Sequence, residues 1–168
     1  WAFVIGTSAL AAANLIDFKK GVKGMPKAIW EITQNTQQPE SVYFDKDTGF
    51  VFVSNVNGNP GDKDSNGYIS KLDANGKVVA AKWVEGLHAP KGMRGAKGKL
   101  YVSDIDTVVA IDIGSSKVAA KVTVDGAKFL NDVAIDSAGV VYVSDTMGSK
   151  IYAINGTKAS VFVEGNDW

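Results

Sequence analysis

The sequence contains no cysteine among its 168 residues. Without a thiol, the chain cannot form disulfides, thiolate metal sites or a cysteine nucleophile. Histidine is nearly absent as well, since His88 is the only one, and a metal site built from several histidines is therefore excluded for this sequence. The chemistry of a functional site has to come from carboxylates, amides, hydroxyls and basic side chains.

An excess of charge and a long apolar run are also lacking. The 18 basic and 18 acidic residues cancel, and they are interspersed along the chain without a basic stripe. Nucleic-acid-binding surfaces are built from clustered Lys and Arg, so we expect no nucleic-acid partner. The apolar run at residues 1–13, WAFVIGTSALAAA, is shorter than the ~20 residues that a membrane-spanning helix needs, and we expect no stable membrane span.

The same run at residues 1–13 ends in small residues with Ala-x-Ala spacing. This is typical of the hydrophobic segment and cleavage region of a secretory signal peptide. We interpret it as a signal-peptide remnant, with an N-terminal helix as the alternative. The first interpretation predicts a periplasmic or extracellular protein. Residues 14–27 are rich in Lys and Gly and are predicted to be a connector.

What the sequence does contain is an internal repeat. The segment from Phe129 to Asp145 is typical of two short strands joined by a turn at Ser137-Ala138-Gly139. Pro39 to Asn55 and Ala89 to Asp104 follow the same plan and end in VSN and VSD. Two more strands follow each hairpin, and the last one closes in an acid-glycine pair. Four short antiparallel strands in ~40 residues are the signature of a β-propeller blade.

We therefore predict an all-β protein, a β-propeller fragment of about three four-stranded blades with a short N-terminal apolar segment. The partial propeller is placed at residues 28–168, with blades at about 39–86, 87–126 and 127–165. Closed propellers have about four to eight blades, so three do not complete a ring. The expected partners are the rest of the propeller, or a second chain that pairs through open strand edges.

The first strand of each propeller blade lines the central channel, and ligands gather at one mouth of that channel. Aligned without a gap in blade 2, the repeat places three residues at one equivalent position: Glu40, Pro90 and Asn131. Ser41, Lys91 and Asp132 lie beside them. Oxygen ligands in this arrangement suit a hard cation such as calcium. The alternative is that the polar residues cap turns and are solvated.

Two further candidates lie close to this mouth in the sequence. His88 comes just before the first strand of blade 2 and is predicted either to pack there or to shuttle protons. The segment from Asp62 to Asp73 matches the spacing of an EF-hand loop, but its Gly- and Pro-containing flank cannot form the helix that an EF-hand requires. We interpret it as a hairpin loop, with a calcium site at Asp62, Asp64 and Asn66 as the alternative.

Four segments resemble a known family: PESVYFD, HAPKGM, LYVSDID and KFLNDVAIDSAGVVYVSDTM. They are similar to the senescence marker protein / gluconolactonase-like family, and the likeness runs from Pro39 to Gly165. The resemblance implies a six-bladed propeller of a family in which some members hydrolyse sugar lactones with a divalent ion in the channel. Together with the signal-like segment, it predicts an exported, divalent-metal-dependent sugar-lactone hydrolase. It implies that Asn131 faces the substrate, and Glu40 lies one residue from the family's metal-binding glutamate. The remaining family ligands would lie in blades beyond Trp168, so we expect the 168 residues alone to be inactive.

The sequence thus predicts a small lactone or sugar-like ligand and a divalent cation, with calcium as the expected metal. The predicted ligand-binding residues are Asn131, Asp132, His88 and Lys91. The predicted metal ligands are Glu40 in the channel and Asp62, Asp64 and Asn66 in the loop. The alternative function is a non-catalytic propeller of the NHL type that binds a small ligand or a partner protein at the channel mouth.

Overall fold

The structure, a computed structural model, describes residues 30–32 and 34–165. The predicted signal remnant at 1–13 and the connector at 14–27 lie outside the described residues. All regular structure within them is β, in twelve strands. In the part of the chain that the structure describes, no helix has the length and apolar character needed to cross a membrane.

The twelve strands form three separate four-stranded antiparallel sheets, each with its strands in sequence order. Blade 1 consists of β1 (Pro39–Phe44), β2 (Val51–Asn55), β3 (Gly67–Leu72) and β4 (Val78–Leu87). Blade 2 consists of β5 (Pro90–Ala96), β6 (Lys99–Asp104), β7 (Thr107–Asp112) and β8 (Lys117–Thr123). Blade 3 consists of β9 (Leu130–Ile135), β10 (Val141–Asp145), β11 (Lys150–Asn155) and β12 (Lys158–Glu164).

The first strands of the three blades lie side by side. β5 contacts β1 on one side and β9 on the other. The fourth strands lie at the opposite edges of their sheets. This radial arrangement of consecutive meanders confirms the prediction of an all-β chain with three four-stranded, propeller-type blades.

Most of the apolar core lies between the blades, and a smaller cluster of Val51, Val53 and Leu72 lies on blade 1. At the first interface, between blades 1 and 2, Phe52 and Ile69 pack against Leu100 and Val102. At the second interface, between blades 2 and 3, Val108 and the partly buried Tyr101 pack against β9 and β10. Each four-stranded sheet has two faces, so neighbouring blades are needed to cover them. The alternation of apolar residues on both faces of the strands follows from this packing.

The VSD and VSN repeats mark a buried polar clamp at the end of each second strand. Asp104 accepts hydrogen bonds at 2.7 to 3.1 Å from two backbone N–H groups in the connection that leads into β5. Asp145 does the same at 2.8 to 2.9 Å for the connection into β9. In blade 1 the amide oxygen of Asn55 accepts one such bond at 2.9 Å. These side chains satisfy backbone groups where the chain passes from an outer to an inner strand.

Candidate functional site

Each first strand contains a β-bulge near its beginning. The pairing with the second strand loses register just after Pro39, after Pro90 and after Leu130. A bulge leaves residues unpaired and re-aims their side chains, which is a common device beside ligand sites. The bulge residues are Glu40-Ser41, Lys91-Gly92 and Asn131-Asp132.

The strand pairing corrects one part of the repeat alignment. Pro39, Pro90 and Leu130 pair with the clamp residues of their own blades, so these three positions are equivalent. Glu40 and Asn131 therefore do share a position, as predicted. The residue of blade 2 at that position is Lys91, and the assignment of Pro90 was wrong by one residue.

The error comes from the hairpin turns. In blade 2 Ala96 pairs with Lys99, so the turn consists of Lys97 and Gly98 alone. Both have positive φ angles, 50° and 73°, as a two-residue type I′ turn requires. Blade 3 has one more residue in its turn, 137–139, closed by a hydrogen bond between residues 136 and 140. The alignment of Gly98 with Gly139 treated the two turns as equally long, and it therefore shifted the first strand of blade 2 by one residue.

The serine of each VSD or VSN motif fixes the bulge. Ser54 Oγ accepts a hydrogen bond at 2.9 Å from the bulge backbone of blade 1. Ser144 Oγ does the same at 3.0 Å in blade 3. Ser103 Oγ instead donates across the second interface to the carbonyl oxygen of Asn131. The same motif thus holds the bulge residues within a blade and between blades.

The inner strands approach each other closely at the bulges. Gly92 lies against blade 3, where a Cβ atom would stand 2.5 Å from the carbonyl oxygen of Asn131 and 2.7 Å from Cα of Asp132. A side chain on this residue would force the strands apart. The glycine therefore brings the polar residues of blades 2 and 3 together at one end of the channel.

Lys91 is a buried lysine, with only 2% of its surface exposed. Its Nζ donates hydrogen bonds to the carbonyl oxygens of Pro60 at 3.0 Å and Ala89 at 2.9 Å. It also lies 4.2 Å from the centroid of the Phe129 ring, a cation–π contact across the second interface. Among the described residues, no carboxylate forms an ion pair with it.

The charges of the three blades influence one another. Partial burial raises the pKa of Glu40, the nearby Lys91 ammonium lowers it, and Asp132 raises it. Burial lowers the pKa of Lys91, and the carboxylates of Asp104 and Glu40 oppose this. Glu40, Lys91 and Asp132 are therefore coupled electrostatically, and Asn131 lies next to Asp132 in the bulge of blade 3. We refer to these four residues as the mouth.

Blade 3 contributes two polar side chains to the mouth. Asn131 is half-buried and its Nδ2 donates to Thr146 Oγ1 at 3.2 Å. Asp132 is exposed, and its Oδ1 accepts the N–H of Val133 at 2.8 Å. Among the described residues, the amide oxygen of Asn131 and the second carboxylate oxygen of Asp132 accept no hydrogen bond. Two acceptors of blade 3 are thus free of hydrogen bonds from the described residues.

The polar loop between β2 and β3 is anchored beside the mouth. His88 Nδ1 accepts the backbone N–H of Ser65 at 3.1 Å. Lys91 reaches the same loop through Pro60, and Lys63 forms an ion pair with Asp106 at 2.5 Å. His88 therefore lies near Lys91 in space, and its ring contacts the loop.

The loop does not have the form of an EF-hand. Gly67 begins a strand, as the flanking residues predicted. The carboxylate of Asp64 accepts bonds from the side chain and backbone of Asn66, at 2.6 and 3.2 Å. Among the described residues, no group of three or more Asp, Glu or His side chains is arranged to hold a metal. Calcium binding by Asp62, Asp64 and Asn66 stays a prediction, as does metal binding by Glu40.

No protein-family model matches the sequence, and no curated protein shows significant similarity to it. The fold is nevertheless similar to solved structures. A chain in the nidogen/laminin complex superposes with a TM-score of 0.61 at 14% identity, over 81% of this chain and 50% of that one. Kuenenia stuttgartiensis hydrazine synthase gives 0.61 at 17% identity, over 88% and 40%. A protein of unknown function from Bacteroides caccae gives 0.56 at 18%, over 83% and 51%.

These chains have β-propeller-type folds, and the structural similarity shows that this chain has the same type of fold. At identities below 20% it shows the fold alone. The chain spans about half, or less, of the length of the structures it matches. Membership in the gluconolactonase-like family stays a prediction from the sequence. The described residues thus form three propeller-type blades, and their first strands carry Glu40, Lys91, Asn131 and Asp132 in equivalent bulges.

Proposed function

We propose that the mouth binds a small hydroxyl-rich ligand of the sugar or sugar-lactone class. The observation that supports this proposal is the bulge geometry, which gives Glu40, Lys91 and Asn131 equivalent positions in three neighbouring first strands. Carboxylates accept hydrogen bonds from hydroxyl groups, and an amide both donates and accepts them. A few convergent polar groups on a rigid scaffold are typical of small-molecule sites.

The charges favour a neutral ligand. Glu40 and Asp132 bring two carboxylates to the mouth, and Lys91 brings one ammonium. Two donors of Lys91 are taken by carbonyl oxygens. Its role in this proposal is to support the loop and moderate the negative potential. An anionic ligand would meet the two carboxylates and be repelled.

A second candidate is hydrolysis of a sugar lactone with a divalent cation, expected to be calcium. It is supported by the equivalent positions of Glu40 and Asn131 in blades 1 and 3 and by the sequence resemblance. Their oxygen atoms are the ligand type that calcium takes, and a bound cation polarises the lactone carbonyl. In this proposal Asp132 is placed to accept a proton from the attacking water. The described residues alone offer two of the several ligands that such an ion needs.

Two broader features belong to the same proposal. Location in the periplasm or outside the cell is supported by the apolar sequence at residues 1–13. A partner protein at the mouth is the alternative ligand, since one similar structure is a complex of two proteins, nidogen and laminin. A protein ligand would contact the loop around Pro60 as well as the mouth.

The binding proposal is tested by titrating the chain with D-glucose, myo-inositol and D-glucono-1,5-lactone and following amide shifts by NMR. Glu40→Gln replaces a charged acceptor by a neutral amide, and Asn131→Ala removes a hydrogen bond to the ligand, so each should weaken binding by about tenfold. The matched control is Lys46→Ala, an exposed residue in the turn at the far end of β1. Equal affinities for all four proteins would contradict the proposal.

The hydrolase candidate is tested separately. Calcium titration of Glu40→Gln and Asp62→Ala variants distinguishes a channel site from a loop site, because only one of the two changes should remove the ion. Lactone hydrolysis is followed by proton release with and without calcium. Because further ligands are expected beyond residue 168, absence of turnover by this chain does not decide between the two. Calcium binding that Glu40→Gln removes, or turnover that it abolishes, would favour the hydrolase, while sugar binding that is the same with and without calcium favours the binding protein.

A further inference from the structure

A cleft of about 280 Å³ opens between blades 2 and 3, away from the mouth. It lies near the β9–β10 turn, at the opposite end of β9 from Asn131. Its apolar walls come from both blades. The main lining residues are Tyr101, Val108, Ala110, Ala120, Val141 and Ile154. The cleft is therefore a second concave site, and the mouth residues take no part in it.

The cleft exists because small or polar residues replace large ones at equivalent positions of the two interfaces. The strand register makes Ala110 equivalent to Lys71 and Tyr101 equivalent to Phe52. In the first interface Trp83 stands against Phe52, with ring centroids 4.6 Å apart. Among the described residues, Tyr101 has no aromatic partner. The space that an indole ring closes in the first interface is open in the second.

The rim of the cleft is basic. Lys99 takes the place that Phe50 has in blade 1, and it lines the cleft. Lys97 Nζ lies 3.3 Å from the position that a Cβ atom on Gly139 would have, and Gly139 also lines the cleft. Among the described residues neither lysine forms an ion pair. The rim therefore favours an anionic group.

The carboxylates closest in sequence to this rim have other partners. Asp112 accepts hydrogen bonds at 2.7 Å from the backbone and hydroxyl of Ser115. Asp136 accepts two backbone bonds within its own turn and one from the hydroxyl of Tyr142. The hydrogen bonds from Ser115 lower the pKa of Asp112, and the nearby charge of Lys99 adds to this. Both carboxylates keep their negative charge, so the attraction of the rim for an anionic group is modest.

We propose that this cleft binds a small planar aromatic acid. The ligand ring packs against Tyr101 as Trp83 packs against Phe52. It lies between the alanine residues of blade 2 and Val141 of blade 3. The acidic group lies at the rim beside Lys99. The size of the cleft is close to the lower end of ligand pockets, about 300 Å³, which suits one or two fused rings. Aromatic pairing adds attraction beyond the burial of apolar area.

The test uses indole-3-acetate as the probe and 3-methylindole as its uncharged match, each titrated into the full 168-residue chain by NMR. Both are expected to bind at one saturable site. The acid should bind about two- to fivefold more tightly at low salt, because exposed charge pairs contribute modestly. Lys99→Gln should remove that preference and leave 3-methylindole binding unchanged. An acid that binds no better than 3-methylindole would overturn the assignment of the rim.

The decisive variant is Ala120→Trp, because its own indole side chain is expected to occupy the cleft in place of a ligand. Ala120 is exposed, so the change does not disturb the core. It should weaken both probes at least about tenfold, while sugar binding at the mouth stays the same. Ala119→Trp, beside it but not lining the cleft, is the matched control and should bind normally.

Three results would overturn the proposal. One is the lack of saturable binding up to about 5 mM, which is weaker than specific sites of this kind. Another is equal binding by the two tryptophan variants. The third is a dimer in sedimentation that Ala120→Trp dissociates, since the cleft would then be covered by a second copy of the chain. Failure of sugar binding at the mouth would leave this proposal standing, because the two sites share no residue.

Discussion

The first and second interfaces share the buried polar clamp but differ in the apolar side chains packed between their sheets. In both, a buried aspartate at the end of a second strand, Asp104 or Asp145, accepts hydrogen bonds from the connection between the two blades. Between blades 1 and 2, Phe52, Trp83 and Ile113 fill the space between the sheets. Between blades 2 and 3, Ala110 and Ala120 leave a cleft. The polar clamp is therefore the constant part of the fold, and the apolar filling is the part that varies.

This difference shows where stability and function can separate. A blade whose inner connection is held by the clamp stays in register even when the apolar space at the opposite end of its strands is not fully packed. The inner strands stay adjacent through Gly92 and the bulges, whatever the outer strands carry. A cleft at the second interface is thus compatible with an intact mouth.

The largest expected effect comes from breaking the clamp. Asp104→Ala and Asp145→Ala each leave backbone donors buried without a partner, and each should lower the free energy of unfolding by about 3 to 5 kcal/mol. Asp104→Asn should cost less, about 1 to 2 kcal/mol, because Asn55 already performs the task with an amide. Urea unfolding followed by circular dichroism measures both. A loss below 1 kcal/mol in both alanine variants would show that the clamp is dispensable.

The packing of the two interfaces can be compared by truncating two equivalent residues, Phe52 in the first and Tyr101 in the second. Phe52 is fully buried, and Phe52→Ala should cost about 3 to 5 kcal/mol. Tyr101 borders the cleft and is only partly buried, so Tyr101→Ala should cost about 1 to 2 kcal/mol. The same urea titration gives the two values. If Tyr101→Ala proved as costly as Phe52→Ala, the two interfaces would be equally well packed.

A substitution that fills the cleft should stabilise the chain, whereas the truncations above destabilise it. Ala110→Leu adds apolar atoms to the wall of the cleft and should raise the free energy of unfolding by about 0.5 to 1 kcal/mol. The equivalent change in the first interface, Lys71→Leu, removes the ammonium that stands 3.8 Å from the Phe50 ring centroid. It should bring no such gain. Thermal unfolding compares the two, and a destabilised Ala110→Leu variant would argue against an open cleft.

The smallest expected effect is a pH dependence at the mouth. Because the pKa of Glu40 is raised in the folded chain, its stabilising contribution is complete below the ordinary value of 4.5 and is lost as pH rises through the raised pKa. Stability should fall by less than about 0.5 kcal/mol over this window, because the group is near the surface. Glu40→Gln should flatten the profile. A profile that Glu40→Gln leaves unchanged would assign the effect to another carboxyl.

The sequence alone was sufficient for much of the fold. The VSD repeats, the glycine turns and the alternating apolar residues predicted twelve strands in three blades, and the structure has them. The equivalent positions of Glu40 and Asn131 also followed from the repeat. These features are local, and each blade repeats them, so one blade supports the interpretation of the next.

Other features could not be predicted because they depend on contacts between distant residues. The register of Lys91 depended on a turn shorter by one residue, which a gap-free alignment cannot show. The burial of its ammonium depends on Pro60, 31 residues away, and on Phe129 of the next blade. The cleft arises where Ala110 replaces Lys71 of blade 1 and where Tyr101 has no ring packed against it, as Phe52 has. This difference became visible only when the register was known.

The central claim is that consecutive blades pack side by side with their first strands adjacent. The most direct measurement is a set of proton–proton NOEs across the two interfaces. The account predicts a contact between Gly67 and the Pro90 ring, where a Cβ on Gly67 would stand 2.5 Å from Cδ, and a second between Gly92 and Asp132. Intact strands with neither contact would contradict the radial packing, and the mouth would be lost with it.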